Sequence, residues 1–460
     1  MRQMQVAGVR AQWGELARSE PTGTRLVYAA LGLATIAISV LLLLVPWLTP
    51  NERAALVVAS LASWVLLIAL GWTRGTLPLR PVLAAIGITL VFAVATPSAQ
   101  SKDVFSYTMY GRILVEHHHN PYSWYPMHFE GDPMRRHVSQ VWQRTPDIYG
   151  PAFTAVMAST APLIGESTFL ARFVYQLIAL AAIVALLWLL WRRTHNPVVL
   201  AFVGLHPLLA VSVVNGGHPD AIIALAFLCA YLLALERRVA LCGLALAVGV
   251  AINFSVLVGA VALGVWAWRR WSLGEVIKLG AITIGLGAAP YLFLNGWLQN
   301  AREHQQLISR QSIWNPVAGL LDSVSLSTTT LKTVMPNTTT LIAGALLLAV
   351  LIRWTRDDTP GLAMAAALAV FLVTSPWVMP WYAFAAFPFL AMRKPNLLAW
   401  AVALYSGLIL LGDQYPSLSA KAIGSFGHTL LETAVPVIAC AACVFAIVRV
   451  RRRERVLVPA

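Results

Sequence analysis

The feature that most constrains this chain is a series of long apolar blocks separated by short polar segments. A helix that crosses a bilayer needs about 20 mostly apolar residues, and only 11% of the 460 residues are charged, against about 25% in a soluble domain. The sequence therefore predicts an all-α polytopic membrane protein. The fourteen blocks cover 26–48, 54–72, 81–97, 168–191, 197–214, 219–235, 239–252, 255–268, 274–294, 338–354, 360–375, 377–392, 395–412 and 428–448.

The basic residues indicate how these blocks are oriented. Of the 33 lysines and arginines, 21 fall in the two termini and in every second connection, often in pairs such as Arg269 and Arg270. Because short cytoplasmic loops are enriched in lysine and arginine, we expect both termini, 1–25 and 449–460, to be cytoplasmic. The net charge of +14 then reflects orientation, and nucleic acid is not expected as a partner. Block 26–48 is too long for a signal peptide, which indicates an uncleaved first span.

The same orientation rule decides two ambiguous stretches. Residues 152–164 are too few for a span, and counting them as one would reverse every later connection, so we expect an interfacial or re-entrant helix on the outer side. The stretch 239–268 is predicted to form two short segments that meet near Asn253. The outer face then carries two large loops, 98–167 and 295–337, within a single domain that comprises the whole chain.

Asp103 is the first candidate for chemistry, because it follows the third block within a few residues. Acids at membrane depth usually face a cavity or a partner. A carboxylate at the mouth of a polar cavity can act as a general base toward a hydroxyl. Aspartate is also a favoured N-cap residue, so a helix cap is the alternative interpretation.

A second polar island lies at 215–220, between two predicted spans. Its two glycines permit a tight turn with close backbone approach. His218 and Asp220 follow, and they either contact phosphate or sugar or belong to a turn that caps the next helix.

Aromatic residues accumulate at the same predicted face. Tyr149 lies in the first outer loop with Trp142, and Trp377, Trp381 and Tyr382 lie between two later blocks. Such residues fit an aromatic belt at the membrane interface, and they equally fit a stacking wall for a sugar or an isoprenoid chain.

The second outer loop contains Arg302, His304, Arg310 and Trp314. Arginine grips phosphate oxygens in a bidentate way, so this loop is a candidate to hold a phosphate. Solvated loop charges are the alternative.

A run of three histidines resembles a metal site, and a C-x-x-C spacing resembles a redox motif, but neither pattern is strong evidence for that chemistry. His117, His118 and His119 are consecutive, so their side chains point in different directions, whereas a metal site needs three or four ligands of set geometry. A divalent metal is therefore possible but unsupported, and no other cofactor is expected. Cys440 and Cys443 form a C-x-x-C spacing inside an apolar block, which indicates small buried residues.

Taken in order, these motifs resemble those of the polyprenol-phosphate-mannose-dependent α-(1→6)-mannosyltransferases of actinobacteria, which are polytopic glycosyltransferases of the GT-C class. The resemblance extends from the third block to about residue 392. It is carried by Asp103-x-x-Ser106-Tyr107-x-x-x-Gly111-Arg112, Asn120-Pro121-Tyr122, Trp142-x-x-Thr145, Tyr149-Gly150-Pro151, Gly217-His218-x-Asp220 and Ser375-Pro376-Trp377-x-x-Pro380-Trp381-Tyr382.

The resemblance implies a GT-C-like bundle of about 14 transmembrane helices in the plasma membrane, with an extracytoplasmic active site. It implies a polyprenyl-phosphate-mannose donor, a lipid-linked glycan acceptor, and transfer with inversion and α-1,6 linkage in lipomannan synthesis, with Asp103 as the base. Donor or phosphate contacts are expected from Lys102, Tyr107, Arg112, His218, Asp220 and Arg302. Substrate contacts are expected from Asn120, Tyr122, Trp142, Tyr149, Trp314, Trp377, Trp381 and Tyr382.

Two other functions fit part of the sequence. A transporter or flippase of a lipid-linked glycan suits many spans and interrupted helices, although it would require ionisable groups near the bilayer midplane, where most spans here have none. A non-catalytic membrane scaffold leaves the ordered outer motifs unexplained.

Overall fold

The computed structural model describes residues 22–44, 48–98, 101–323, 328–356, 359–393, 396–413 and 430–449. Over these ranges the chain forms helices and connecting turns, without a β-strand, as predicted. Most of the predicted cytoplasmic termini lies outside the described residues.

The helices follow the predicted blocks closely, with additional helices in the two outer loops. In chain order they are α1 (Thr22–Leu43), α2 (Pro50–Arg74), α3 (Leu79–Ala95), α4 (Asp103–Val115), α5 (Gln140–Gln143), α6 (Pro151–Ile164), α7 (Thr168–Thr194), α8 (Pro197–Gly204), α9 (Asp220–Leu235), α10 (Val239–Ile252), α11 (Leu257–Trp268), α12 (Leu273–Ile282), α13 (Trp297–His304), α14 (Trp314–Ser323), α15 (Thr328–Arg353), α16 (Gly361–Thr374), α17 (Phe387–Ala391), α18 (Leu397–Asp413) and α19 (Val435–Arg449).

Many of these helices are apolar enough to lie in a membrane, but they differ in length. Among the described residues, five helical stretches are long and apolar enough to cross one: Glu52–Arg74, Thr168–Thr194, Leu273–Phe293, Met335–Arg356 and Glu432–Arg449. Eight further apolar helices have 10 to 17 residues. The all-α polytopic architecture is thus confirmed, whereas the number of fourteen spans stays a prediction.

Successive helices run between two ends of the bundle. At one end, the guanidinium of Arg237 pairs with the carboxylate of Glu275 at 2.9 Å, and Arg270 donates to the carbonyls of Thr355 and Arg356. These bonds join three of the predicted cytoplasmic connections, and we call this the basic end. The opposite end, called the motif end, is formed by residues 95–98, 101–103, 215–220, 252–255 and 374–377.

Two buried amide side chains hold the motif end together. Asn215 donates its Nδ2–H groups to the carbonyls of Ala93 and Pro97 at the end of α3, over 2.9 and 3.0 Å. Gln176 of α7 donates to the carbonyl of Asn215 at 2.8 Å and to that of Thr96 at 3.3 Å. The last carbonyls of a helix have no partner within the helix, so these bonds satisfy them and fix where the chain enters the first outer loop.

The 215–220 turn has the geometry that its glycines predict. Gly217 has a φ of 62°, and a Cβ atom there would lie 2.8 Å from Cβ of Tyr175 and 3.0 Å from Cγ1 of Val104. A side chain would therefore separate the turn from α4, whose first residue is Asp103.

Residues 239–268 divide as predicted. Helix α10 ends at Ile252, and the backbone of Asn253 is extended. The side chain of Asn253 accepts a hydrogen bond from the N–H of Ser255 and so caps the start of the next segment. The break exposes polar backbone and side-chain groups at the motif end, directly beside the outer loop, since the N–H of Gly150 donates to the carbonyl of Ile252 at 2.8 Å.

The two helices of the first outer loop, α4 and α6, pack at very short range. A Cβ atom on Gly111 would collide with the carbonyl oxygen of Met157 and would lie 3.1 Å from Cβ of Ala161. The missing side chain at Gly111 therefore allows α6 to lie against the helix that carries Asp103.

We expect Gly111→Ala to destabilise the fold by about 1–3 kcal/mol, because the added methyl group overpacks the α4–α6 contact. Thermal unfolding of the purified protein in detergent measures this as a lower midpoint. Gly87→Ala is the matched control, since Gly87 is also helical and a methyl group added there would meet no other atom within 4 Å, and alanine favours helix over glycine by about 1 kcal/mol. Equal midpoints for the two variants would contradict the close packing.

Candidate active site

Asp103 is the first residue of α4, and its side chain does not cap that helix. Lys102 occupies the N-cap position without a side-chain capping bond. The carboxylate Oδ1 instead accepts a hydrogen bond from the indole N–H of Trp142 at 3.1 Å. The residue is 9% exposed, so the carboxylate is nearly enclosed by side chains of the outer loops and the motif end.

Burial raises the pKa of Asp103 from its ordinary value to about 6, and hydrogen bonds from Ser101 and Trp142 partly oppose that rise. Removal from water disfavours the charged carboxylate, whereas hydrogen bonds to the charged form favour it. A base is most effective when its pKa lies near the working pH. Asp103 is therefore ionised at neutral pH and still basic enough to accept a proton.

A column of rings links Asp103 to the 215–220 turn and to the turn after α16. His218 Nδ1 lies 4.0 Å from Oδ2 of Asp103 and shares a hydrogen bond of 2.9 Å with the hydroxyl of Tyr107. Tyr107 in turn bonds the hydroxyl of Tyr149 at 3.2 Å. The ring of Trp381 stacks on His218 with centroids 3.5 Å apart. Four motifs that are distant in sequence thus meet at one point.

Trp142 connects Asp103 to the second outer loop. Its ring lies nearly parallel to that of His304, with centroids 5.8 Å apart and planes inclined by 26°. Trp377 meets Trp142 at 6.0 Å and His304 at 5.7 Å, both at steep angles. The indole that bonds Asp103 is therefore held between rings from α13 and from the turn after α16.

A cavity of about 590 Å³ opens beside these rings. At its polar end it is lined by Tyr149, Asp220, His304, Gln305, Trp377, Trp381 and Tyr382. Away from that end the lining becomes apolar and follows α11, α15 and α16, through Leu257, Val258, Val261, Ala343, Gly344, Leu347, Val370 and Phe371. One cavity therefore offers both a polar, aromatic pocket and an apolar groove.

Asp103 lies just behind the polar end of this cavity. It is not itself a lining residue, but Tyr149, Trp381 and Asp220 line the cavity, and the first two belong to the ring column beside Asp103. Aromatic faces next to carboxylates suit a sugar, because the rings cover its apolar face and the acids accept from its hydroxyls. The arrangement can hold a sugar and deprotonate a hydroxyl.

His218 is placed to support the pocket from behind. It is 1% exposed, does not line the cavity, and is covered by Trp381. Burial lowers the pKa of His218 to about 3, so the imidazole is neutral at physiological pH and supplies no charge for a phosphate.

Asp147 organises the rest of the first outer loop, and the sequence analysis did not single it out. Its carboxylate accepts from the N–H of Tyr149 at 2.9 Å and from the hydroxyl of Thr154 at 2.8 Å. The hydroxyl of Tyr122 bonds Thr154 at 2.7 Å, and Asn300 of α13 donates to the carbonyls of Tyr122 and Asp147. This network fixes Tyr149 and joins the two outer loops.

Asn120 and Tyr122, predicted to contact substrate, take part in that scaffold. The Asn120 side chain accepts from the N–H of Tyr122 at 3.0 Å and donates to the carbonyl of Asn295 at 3.1 Å. Neither residue lines the cavity.

Arg112 is engaged away from the ring column. Its guanidinium pairs with the buried carboxylate of Asp132 at 2.9 Å and with Glu116 at 2.9 Å, and it donates to the carbonyl of Gly165 at 3.0 Å. The guanidinium therefore links α4 to the loop around Asp132 and to the end of α6.

The remaining predicted contacts are not brought to the cavity. Lys102 and Arg302 are exposed, and neither is a lining residue. Trp314 is 7% exposed and donates its indole N–H to the carbonyl of Thr374 at 2.9 Å, so it attaches α14 to the end of α16.

The three consecutive histidines have separate surroundings. His117 bonds Asp132 at 2.8 Å, and His119 stacks on Trp124 with centroids 4.3 Å apart. Within the part of the chain that the structure describes, no group of three or more histidine, cysteine or acidic residues is arranged to hold a metal ion.

Comparisons with known proteins identify relatives of this chain. A family model described as alpha-(1→6)-mannopyranosyltransferase, N-terminal domain, matches residues 6–270, which is more than half of the chain. The alpha-(1→6)-mannopyranosyltransferase A of Mycobacterium tuberculosis is 23% identical over 310 residues, which cover 61% of this chain and 59% of that protein. The protein of the same name from Corynebacterium glutamicum is 25% identical over 166 residues, covering 34% and 32%. The chain thus matches less than two thirds of the length of either relative, and no solved structure matches it.

Proposed function

The chain belongs to the alpha-(1→6)-mannopyranosyltransferase family, and from that premise we propose that it transfers a mannosyl residue from a polyprenyl-phosphate donor to a lipid-linked glycan. Transfer occurs with inversion and forms an α-1,6 linkage, at the outer face of the plasma membrane. The product extends a mannan of the lipomannan type in the cell envelope.

The observation that carries this proposal is the two-part cavity beside Asp103. A lipid-linked sugar has a polar head and a long apolar tail, and the cavity has a polar, aromatic end that continues into an apolar groove along α11 and α15. The isoprenoid chain occupies the groove and the mannosyl group occupies the polar end. This assignment supports a lipid-linked donor over a nucleotide sugar.

The reaction needs one proton transfer and one displacement. Asp103 takes the proton of the acceptor hydroxyl as its oxygen attacks C1 of the mannosyl group. The bond between C1 and the phosphate oxygen breaks, and its electron pair leaves with the polyprenyl phosphate. Attack from the face opposite the leaving group converts a β-linked donor into an α-linked product. General base catalysis contributes about 10²–10⁴-fold to such a step.

The outer-face location is supported by the two ends of the bundle. The basic end contains several of the connections that are rich in arginine, and basic loops face the cytoplasm. The motif end, with Asp103 and the cavity, then faces outward, where it meets donors that have already been flipped across the membrane.

Asp103→Asn tests the proposed base directly. We expect transfer to fall by at least about 100-fold, because the amide can still accept the Trp142 hydrogen bond but cannot take up a proton. The assay uses purified protein, synthetic polyprenyl-phosphate mannose and short mannan acceptors, with mass and linkage analysis of the product. Asp322→Asn, an exposed acid on α14, is the control and should retain full activity. Normal turnover by Asp103→Asn would show that Asp103 is not the general base.

Trp142→Phe tests how the pKa of Asp103 is set. The wild-type rate should fall as the pH drops through about 6, since only the ionised carboxylate accepts a proton. Loss of the indole N–H removes a bond that favours the ionised form, so this acid limb should move to higher pH. The measurement is kcat/KM between pH 4.5 and 8.5. The control is Trp124→Phe, which changes an exposed tryptophan of the same loop and should leave the acid limb of the pH profile unchanged. An unshifted acid limb in Trp142→Phe would contradict the proposed mechanism.

Cysteine labelling in intact cells tests the side of the membrane. Glu130→Cys lies at an exposed position of the first outer loop, and Arg238→Cys lies at an exposed position of the basic end. We expect a membrane-impermeant maleimide to label the first variant in intact cells and the second only after permeabilisation, with the wild-type protein as background. The reverse pattern would place the motif end in the cytoplasm.

A further inference from the structure

The cavity presents a specific difficulty for a phosphate. Among the described residues that line it there is no lysine or arginine, and its one acid is Asp220. The arginines expected to hold the phosphate lie elsewhere, since Arg112 is paired with Asp132 and Arg302 is exposed. An anionic group in this cavity must therefore be received by neutral hydrogen-bond donors.

His304 is the lining residue whose surroundings point to such a role. It is the last residue of α13, where Trp297 and Asn300 share its inward face and bond the first outer loop through the carbonyls of Ile148 and Tyr122. Trp142 and Trp377 enclose its ring on two sides. The backbone and the ring of His304 are therefore both fixed.

The two ring nitrogens of His304 have different environments. Nδ1 is buried and has no hydrogen-bond partner, whereas Nε2 is not among the buried unpaired atoms. Since His304 lines the cavity, the ring edge that is available to a bound group is the one that carries Nε2. Burial lowers the pKa of His304 to about 4, so the ring is neutral and has one donor and one acceptor nitrogen.

The position of the proton follows from the cost of unpaired groups. In protein backbones an orphaned buried N–H is rarer than an under-satisfied carbonyl, and by the same reasoning we assign the unpaired Nδ1 as the bare nitrogen. The proton then resides on Nε2, and His304 directs an N–H group into the cavity.

We propose that His304 donates this Nε2–H bond to a phosphate oxygen of the polyprenyl-phosphate donor, at the junction between the polar end and the apolar groove. The inference rests on the proposed function and deepens it, because it names how the phosphate is recognised without a cation. As the bond from C1 to phosphate breaks, negative charge grows on the leaving phosphate. A fixed donor then binds it more strongly than it binds the intact diester.

Two variants separate the N–H group of His304 from its ring. His304→Phe keeps an aromatic ring between Trp142 and Trp377 and removes the N–H group, whereas His304→Gln removes the ring and keeps a terminal N–H donor. Binding of polyprenyl phosphate and of the uncharged polyprenol to the purified full chain is measured for each. Gln306→Ala, an exposed neighbour that does not line the cavity, is the control.

We expect His304→Phe to bind polyprenyl phosphate about 10-fold or more weakly, since it loses a hydrogen bond to a charged group. Polyprenol should bind equally to both variants and to wild type, and His304→Gln should retain most of the affinity for the phosphate. The proposal is overturned if His304→Phe binds the phosphate normally, if both variants lose the same affinity, or if polyprenol binding falls in parallel.

The outcome is distinguishable from failure of the proposed function. If binding of polyprenyl phosphate depends on His304 and no sugar is transferred under any condition, the proposed function fails and this inference stands. If mannose is transferred and His304→Phe has the wild-type affinity for polyprenyl phosphate, this inference fails and the proposed function stands.

Discussion

The candidate site depends on the hydrogen bonds that Gln176 and Asn215 make to the carbonyls at the end of α3. A helix end that is buried without partners would leave several carbonyl groups unpaired in a medium that cannot solvate them, which raises the free energy of the folded state. By satisfying those carbonyls, the two amides place the start of the first outer loop against the 215–220 turn. The close approach of Gly217 to Val104 then brings α4, and with it Asp103, next to His218.

Among the described residues, the indole of Trp142 and the neutral ring of His218 lie beside the Asp103 carboxylate, and neither is a lysine or an arginine. The buried ion pair of the first outer loop, Arg112 with Asp132, serves the packing of α4 and lies outside the ring column. Opposite charges close to a carboxylate would lower its pKa and weaken it as a base. The indole of Trp142 orients the carboxylate with one hydrogen bond, while burial keeps the pKa of Asp103 raised at about 6.

Much of the fold was predictable because membrane constraints act on the sequence locally. The apolar blocks follow from the length that a membrane-spanning helix needs, and the turn at Gly217 follows from the backbone freedom of glycine. The break at Asn253 follows from the alternation of basic and non-basic connections along the chain. The meeting of the motifs at one end followed from the alternation of basic connections.

The roles of individual side chains were less predictable, since they depend on partners from distant parts of the chain. Tyr122 bonds Thr154, Trp314 bonds the carbonyl of Thr374, and Arg112 pairs with Asp132; none of these pairings has a signal in residue spacing. The importance of Asp147 and the apolar groove between α11 and α15 likewise appears only once the helices are packed.

The lengths of α10 and α11 have a consequence for the surrounding lipid. With 14 and 12 residues they extend about 21 and 18 Å at 1.5 Å per residue, well below the roughly 30 Å of a hydrocarbon core. A bilayer adapts to short helices by thinning around them. Under the proposed function, such thinning would bring the headgroup layer closer to the groove and shorten the path of the donor phosphate to the cavity.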